Sequence, residues 1–580
     1  MAFRPTILAR DWLVTTEHYL SAQAGAALLQ AGGTAMDAAA AAVLVECVVN
    51  PHMLSFGGEV PMLVHEGATG AVHVVNGHTV SPRGLTLERC RAAGLTALTA
   101  LPADHPLAWG VPATPHTLCT ALARWGTRTF AEVAAPARDL ARRGFPMHPG
   151  LRGPGESLSI AAEAPKFRTR WTSTADLYLR GGQLPAVGTR LVNADMADTL
   201  DGMIEAERRA NGSRAAGLAA ARDAFYRGEP AAIIDRFVRE RDGVLDKADL
   251  EAYETRIEVP LRREFAGLTV HKCPPWSTGG VLLQTLALLD PDRLVRMGHN
   301  SADYLHTIAE ALKLAFADRE RYYGDPRLVH VPMDALLSDA YAEVRRGLID
   351  PARASLEMRP GDPQKLGALA EGPGATPGPP GRGTVHVNVV DAARNMVSAT
   401  ASGAWITGAP VVPGLGFPLT NRPQTFSLDP AHPNVVAPGK QPRTTLTPGL
   451  VLERGRPKMV LGTTGGDNQD QWNLQVLLNL ALFGMPVQDA IEAPRISSQH
   501  WPNSFYPHEA RPGVLRIEAR VPYDVRRELQ ARGHKLELRP EWAEGYVLAI
   551  VVDEANGHLM GGADPRGEVA TVIPGYAIGW

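Results

Sequence analysis

Between Ser21 and Val49 the chain is apolar almost throughout, and alanine dominates both halves of the stretch. Ser21 can cap a first helix, Gly32-Gly33 can end it, and Thr34-x-x-Asp37 has the spacing of a capping box that opens a second. The connection is short, so the two helices are neighbours. The run from Ala38 to Val49 is interrupted only by Glu46 and is far shorter than the ~20 residues a bilayer span needs. It therefore reads as a buried helix. Ser55 to Glu59 is a turn leading into a strand at Met62–His65. Residues 117–145 and 197–242 are mainly helical, separated by a Gly/Pro/Ser-rich stretch near 149–160. Another helix runs from Ser301 through Tyr322, with Ile308, Leu312, Ala315 and Phe316 at helical spacing.

The pattern changes sharply at residues 371–383, where nine of thirteen positions are Gly or Pro, a composition that supports neither a helix nor a central strand. Thr384-Val-His-Val-Asn-Val-Val-Asp391 follows, then a polar turn, then Asn395-Met-Val-Ser-Ala-Thr-Ala-Ser402. These blocks predict an antiparallel strand pair. The linker has two readings: a plain connection between domains, or a segment that ends at a processing site and makes Thr384 a new N-terminus.

A threonine hydroxyl is a weak nucleophile without a neighbouring base, and a threonine at a chain end carries one in its own α-amine. That amine, with an ordinary pKa of about 7.7–8.0, can accept a proton near neutrality. The preceding Gly383 offers little steric opposition to attack on its carbonyl. A second feature is Met459-Val-Leu-Gly-Thr-Thr-Gly465-Gly466-Asp467, a strand entering paired glycines before a helix-like segment that ends near Leu482. Two backbone N–H groups there can stabilise an oxyanion, or the glycines can simply permit a tight turn. No Gly-x-Ser-x-Gly elbow, His-Glu-x-x-His helix, phosphate loop or dinucleotide fingerprint occurs.

Composition narrows the partners. With 58 Lys+Arg against 61 Asp+Glu the formal charge is −3, and no basic run offers a footprint for nucleic acid. Four cysteines are scattered without a C-x-x-C pair, and the 18 histidines do not fall at ligand spacing. Neither a metal nor another cofactor is expected. The N-terminal residues lack a continuous apolar secretory segment, so a cytoplasmic, membrane-free protein is the expectation.

Several blocks in order along the chain resemble the gamma-glutamyltranspeptidase family of N-terminal nucleophile hydrolases. They are Ala24-Gly25 with Ala31-Gly-Gly-Thr-Ala-Met-Asp37, Gly57-Gly58-Glu59, Trp109-Gly-Val-Pro112, Pro274-Pro-Trp-Ser-Thr-Gly-Gly280, Glu310 to Arg319 with Tyr323-Gly-Asp-Pro326, and Ala563-Asp-Pro-Arg566. The resemblance implies an α+β fold, a four-layer αββα sandwich. It also implies autocleavage between Gly383 and Thr384 into a large fragment, 1–383, and a small one, 384–580, paired in one intertwined body, with further assembly of the pair left open. By the same resemblance Thr384 is the nucleophile, and Ser402 stands where the family has a second threonine that contacts it. Thr444 and Thr445 fall on a paired serine that binds substrate, and Gly465 and Gly466 fall on the oxyanion glycines.

Departures from the family pattern concern the substrate. The expected asparagine two positions past Ser402 is Ala404. Arg422 and Thr425 replace a glutamine and an aspartate, and the usual arginine of the first fragment is replaced within Asn76-Gly77-His78, which puts His78 among the substrate-binding candidates. Recognition of a glutamyl ammonium is thereby in question. The segment from Phe426 to Lys440 resembles a branch that includes oxamate amidohydrolases. Arg422 and Arg443 then form a carboxylate clamp for a small acidic amide, or else are structural arginines. Trp405 either walls a small pocket or packs in the core. The expectation is a self-processing threonine amidohydrolase or acyltransferase acting on a small, oxamate-like amide through an acyl-enzyme. The alternatives are a gamma-glutamyl hydrolase or transpeptidase, a cephalosporin-type acylase, and an unprocessed homologue that serves as a binding protein.

Overall fold

The computed structural model describes residues 2–153, 159–368, 383–566 and 574–580. Of the Gly/Pro-rich linker only Gly383 falls within them. Two antiparallel seven-stranded sheets form the centre. The first runs, neighbour to neighbour, Ile7–Ala9, His558–Ala563, Leu548–Asp553, Arg456–Gly462, Gly449–Glu453, Leu268–Lys272 and Leu261–Phe265. The second runs Tyr576–Gly579, Leu13–Thr16, Thr384–Val390, Met396–Ser402, Met62–His65, Val72–Asn76 and Arg256–Glu258. Each sheet thus mixes strands from both sides of position 383.

Side-chain alternation along the strands builds the layers. Val385, Val387 and Val389 join a core with the helices at Tyr19–Gln30 and Ala35–Val49. Val270, Val451, Met459 and Leu461 join another with the helices at Gly280–Leu288, Ala302–Tyr322 and Gln469–Phe483. A third cluster lies between the sheets, where Met396 and Val390 of one meet Val460 and Ile550 of the other. The order helix, sheet, sheet, helix is the expected αββα sandwich.

Local chemistry explains the helix ends. Thr34 and Asp37 form the capping box, and all fifteen residues of Ala35–Val49 are buried, since alanines let a helix pack closely on both sides. The first helix is capped by His18 rather than Ser21: the His18 ring accepts from the Leu20 N–H. The Ser21 hydroxyl instead turns inward to the Ala42 carbonyl at 3.1 Å and ties the helix pair together. Ser301 caps the helix at Ala302–Tyr322. Within the Gly/Pro/Ser-rich stretch near 149–160, of which 154–158 lie outside the described residues, Pro149–Arg152 forms a single helical turn, and the next helix begins at Ile160. All four cysteines are buried and unpaired. Among the described residues no helix is long and apolar enough to cross a membrane.

Candidate active site

The strands Thr384–Val390 and Met396–Ser402 pair in register from Thr384 opposite Ser402 to Val390 opposite Met396. Because alternate side chains share a face, Thr384, His386 and Asn388 point between the sheets together with Ser402, Thr400 and Ser398. Valines and alanines occupy the helix-facing positions of both strands. One strand pair therefore carries an apolar outer face and a polar inner face.

At the end of that polar stripe, Thr384 Oγ1 donates toward Ser402 Oγ at 3.4 Å. Ser402 Oγ donates to the Gly383 carbonyl at 2.7 Å. The Trp405 indole N–H reaches the same carbonyl at 2.7 Å and the Met53 carbonyl at 2.9 Å. Thr384, Ser402 and Trp405 are all buried. Deeper along the stripe His386 bonds Thr400 and Asn388, each at 2.9 Å, and Asn388 reaches across to the Leu548 carbonyl of the other sheet. Burial pushes the His386 pKa down to about 3, helped by the Lys272 charge, so the ring is neutral.

Gly462 ends the strand opposite His386, and a Cβ there would lie 2.0 Å from the imidazole. The chain then turns through Thr463 and Thr464 to Gly465 and Gly466, both in the left-handed region at φ +112° and +57°, before the helix at Gln469–Phe483. The strand-to-helix turn is as expected. Positive φ is the reason for glycine at both positions.

Arg422 lies on the same side as Trp405. Its Nε donates to Glu59 Oε1 at 2.5 Å, and Glu59 Oε2 accepts from the Thr420 hydroxyl at 2.8 Å. The Glu59 backbone pairs with Ser402 in both directions at 2.9 Å, so this ion pair is anchored to the strand that holds Ser402. The guanidinium carbon stands 5.1 Å from the Trp405 ring and 5.4 Å from that of Phe505. Burial raises the Glu59 pKa, opposed by the Arg422 charge. Arg422 is fully buried, and its Nη1 and Nη2 have no hydrogen-bond partner among the described residues. The charge is paired with Glu59, and the two buried nitrogens left without acceptors can donate to a further oxygen.

The remaining sequence candidates are differently committed. The Arg443 guanidinium bonds Glu320 at 2.6 Å and the Arg319 carbonyl at 3.2 Å, so its charge, like that of Arg422, already has a carboxylate partner. The Thr425 hydroxyl meets the Arg422 and Arg443 carbonyls and ties that loop together. Thr444 bridges Ser277 through its backbone, whereas the buried Thr445 hydroxyl has no partner among the described residues. His78 Nε2 contacts the Pro442 carbonyl at 2.6 Å, and its ring stacks on Trp276. Burial, with the Arg422 charge second, takes the His78 pKa down to about 3.

The fold also gathers His306, Glu310 and His534, whose ligand atoms lie within 4.8 Å of one another, a grouping invisible in sequence because His534 is remote. Lys313 and Arg359 both pair with Glu310, and His306 spends Nε2 on the Asp350 carbonyl. Those cations already satisfy the carboxylate. Glu59 stood only within a glycine block in the sequence, and nothing local announced its partnership with Arg422.

Two facing sheets, each backed by helices, with Thr384 heading a central strand, define the sandwich of the N-terminal nucleophile hydrolases. The gamma-glutamyltranspeptidase family model matches residues 21–573, and the chain belongs to that family. It is similar to the glutathione hydrolase-like YwrD proenzyme of Bacillus subtilis (strain 168), 31% identical over 572 residues that span 98% of this chain and 99% of that protein. Among solved structures, LmbA2991HD superposes with a TM-score of 0.92 at 38% identity over all of both chains. The cephalosporin acylase from Bacillus halodurans gives 0.83 at 29% identity, covering 100% of this chain and 98% of that one.

Proposed function

We propose that the protein is an autoprocessing amidohydrolase whose nucleophile is Thr384 and whose substrates are small amides carrying a carboxylate on the acyl side, such as oxamate-like compounds. The observation that carries the reading is the meeting of the Thr384 hydroxyl, the Ser402 hydroxyl and the Gly383 carbonyl at one buried point. Membership of a hydrolase and transpeptidase family supports the amide chemistry, and the proenzyme name of the YwrD relative supports self-cleavage.

Once Gly383 is released, the α-amine of Thr384 takes the proton from its own hydroxyl, and Oγ1 attacks the substrate carbonyl carbon. The backbone N–H groups at Gly465 and Gly466 receive the oxyanion in this reading. The amine leaves with the proton, and water, or a second amine in a transfer reaction, releases the acyl group. Arg422 holds the substrate carboxylate through Nη1 and Nη2, with Thr444, Thr445 and His78 lining the approach. Thr425 is neutral and Ala404 has no amide, so a substrate α-ammonium lacks the partners that a glutamyl group requires. The two fragments, 383 residues and 580 − 383 = 197 residues, stay together because both sheets draw strands from each.

Denaturing electrophoresis with N-terminal sequencing tests the first half: a small fragment beginning Thr384-Val385-His386 is expected, and Thr384→Ala is expected to remain one chain without activity. Activity surviving in that variant overturns the nucleophile assignment. A panel of oxamate-like, glutaryl and γ-glutamyl amides tests the second half. Preference for acyl groups with a carboxylate and no ammonium is the expected result, and efficient γ-glutamyl turnover would refute it.

A further inference from the structure

We propose that the indole N–H of Trp405 is an oxyanion donor for self-cleavage of the Gly383–Thr384 peptide, separate from the Gly465–Gly466 pair assigned to substrate turnover. The proposal rests on the self-processing reading above and extends it to a residue outside the nucleophile and its hydroxyl partner.

The geometry begins with a bend. After the strand Met396–Ser402, Gly403 and Ala404 both take left-handed conformations, φ +87° and +51°. Gly403 has no room for a side chain, since a Cβ would sit 2.7 Å from Glu59 Oε1. A left-handed alanine is unfavourable and persists only where its surroundings enforce it. The double bend returns the chain over the start of the neighbouring strand and aims the Trp405 N–H at the Gly383 carbonyl.

An indole N–H is one donor and needs one acceptor. The Met53 carbonyl at 2.9 Å would satisfy it, yet the N–H also lies 2.7 Å from Gly383 O. Ser402 Oγ occupies that oxygen's other side at 2.7 Å. Two donors thus converge on the one carbonyl whose oxygen builds up negative charge as Thr384 attacks, until the Ser402 proton reaches it, and they do so at a buried point where such donors act strongly. Most peptide carbonyls in a strand partner one backbone N–H; this one is held by two side chains.

The step balances without an outside base. Thr384 Oγ1 bonds to the Gly383 carbonyl carbon while its proton passes to Ser402 Oγ and the Ser402 proton passes to the former carbonyl oxygen. Trp405 retains its hydrogen and donates throughout. The new hydroxyl proton then moves to the Thr384 nitrogen as the C–N bond breaks, leaving an ester and a free amine. Water cleaves the ester to a Gly383 carboxylate and the restored Thr384 hydroxyl. With Gly383 gone, the indole settles on Met53 alone.

The test follows precursor conversion over time by denaturing electrophoresis in Trp405→Phe, which keeps an aromatic ring against Arg422 and removes the donor. Fragment appearance is expected to slow about 10²–10³-fold, the usual effect of losing one oxyanion donor. Melting temperatures of Thr384→Ala and Thr384→Ala/Trp405→Phe compare the same uncleaved species, and equal values exclude a packing effect. If the double variant melts lower, replacement of Trp405 by benzothienylalanine, which keeps the bicyclic shape with sulfur in place of N–H, decides: slow conversion supports the donor role and native-rate conversion overturns it. Native-rate conversion of Trp405→Phe also overturns it while leaving the Thr384 reading intact. Failure of the unmodified chain to cleave at all removes both.

Discussion

Thr384 opposes Ser402 across the strand pair with their hydroxyls 3.4 Å apart, and the backbone of Ser402 is in turn paired with that of Glu59. A single ladder position thereby links the proposed nucleophile to the Glu59–Arg422 ion pair. The chemistry and the substrate recognition proposed for these residues would then share one edge, and substitutions can separate their contributions.

Ser402→Ala removes the hydroxyl that accepts from Thr384 and donates to Gly383 while leaving the backbone ladder intact. Self-cleavage is expected to slow by about 10²-fold or more. Ser402→Thr retains the hydroxyl and is expected to cleave within about tenfold of the native rate. Time-resolved electrophoresis of fresh precursor checks both.

Arg422→Met leaves Glu59 buried beside no cation, a change expected to destabilise the fold by about 3–5 kcal/mol. Arg422→Met/Glu59→Gln removes both charges and is expected to recover most of that loss. Urea denaturation measures the stabilities. In the double variant kcat/KM for carboxylate-bearing amides should still fall by about 10²-fold or more, because the anion has lost its partner. Equal turnover in native and double variant would detach Arg422 from the substrate.

Gly465→Ala places a Cβ at φ +112° and 2.3 Å from the Trp472 ring, so the turn must shift. If turnover and self-cleavage use different oxyanion donors, this variant loses kcat in the mature enzyme while its precursor still cleaves. Comparing cleavage rate with steady-state turnover on the same preparation distinguishes the two, and parallel losses would argue for one shared site.

His386 is neutral in the fold with a pKa of about 3, below the ordinary histidine value of 6.5. In acid the unfolded chain binds a proton that the folded chain refuses, so this residue's contribution to stability is complete above pH 6.5 and is lost as pH falls toward 3. His386→Gln is expected to flatten stability against pH in that window by up to about 1.4 kcal/mol per pH unit, one proton's worth. Denaturant midpoints between pH 4 and 7 provide the comparison, and identical slopes would contradict the assignment.

Local features were legible in the chain because they depend on neighbours in sequence. Thr34 and Asp37 are three positions apart and cap a helix together; Thr384–Val390 and Met396–Ser402 alternate apolar and polar residues and pair through a short turn. The resemblance to a known family supplied the layered architecture and directed attention to Thr384. Even so, adjacent residues misled where the backbone could choose, as when His18 took the cap expected of Ser21.

Contacts between distant positions were decided only in three dimensions. Arg422 and Arg443 look alike in sequence, but Arg443 meets Glu320 while Arg422 meets Glu59, 363 positions away, and keeps two nitrogens unpaired. Trp405 read as a pocket wall or, more readily, as core, and the left-handed pair before it turned its N–H onto Gly383. Periodicity and capping are encoded over a few residues, so composition and spacing determine them. Which carboxylate meets which buried arginine, and which donor faces the Gly383 carbonyl, depends on how two sheets pack, and no single segment carries that information.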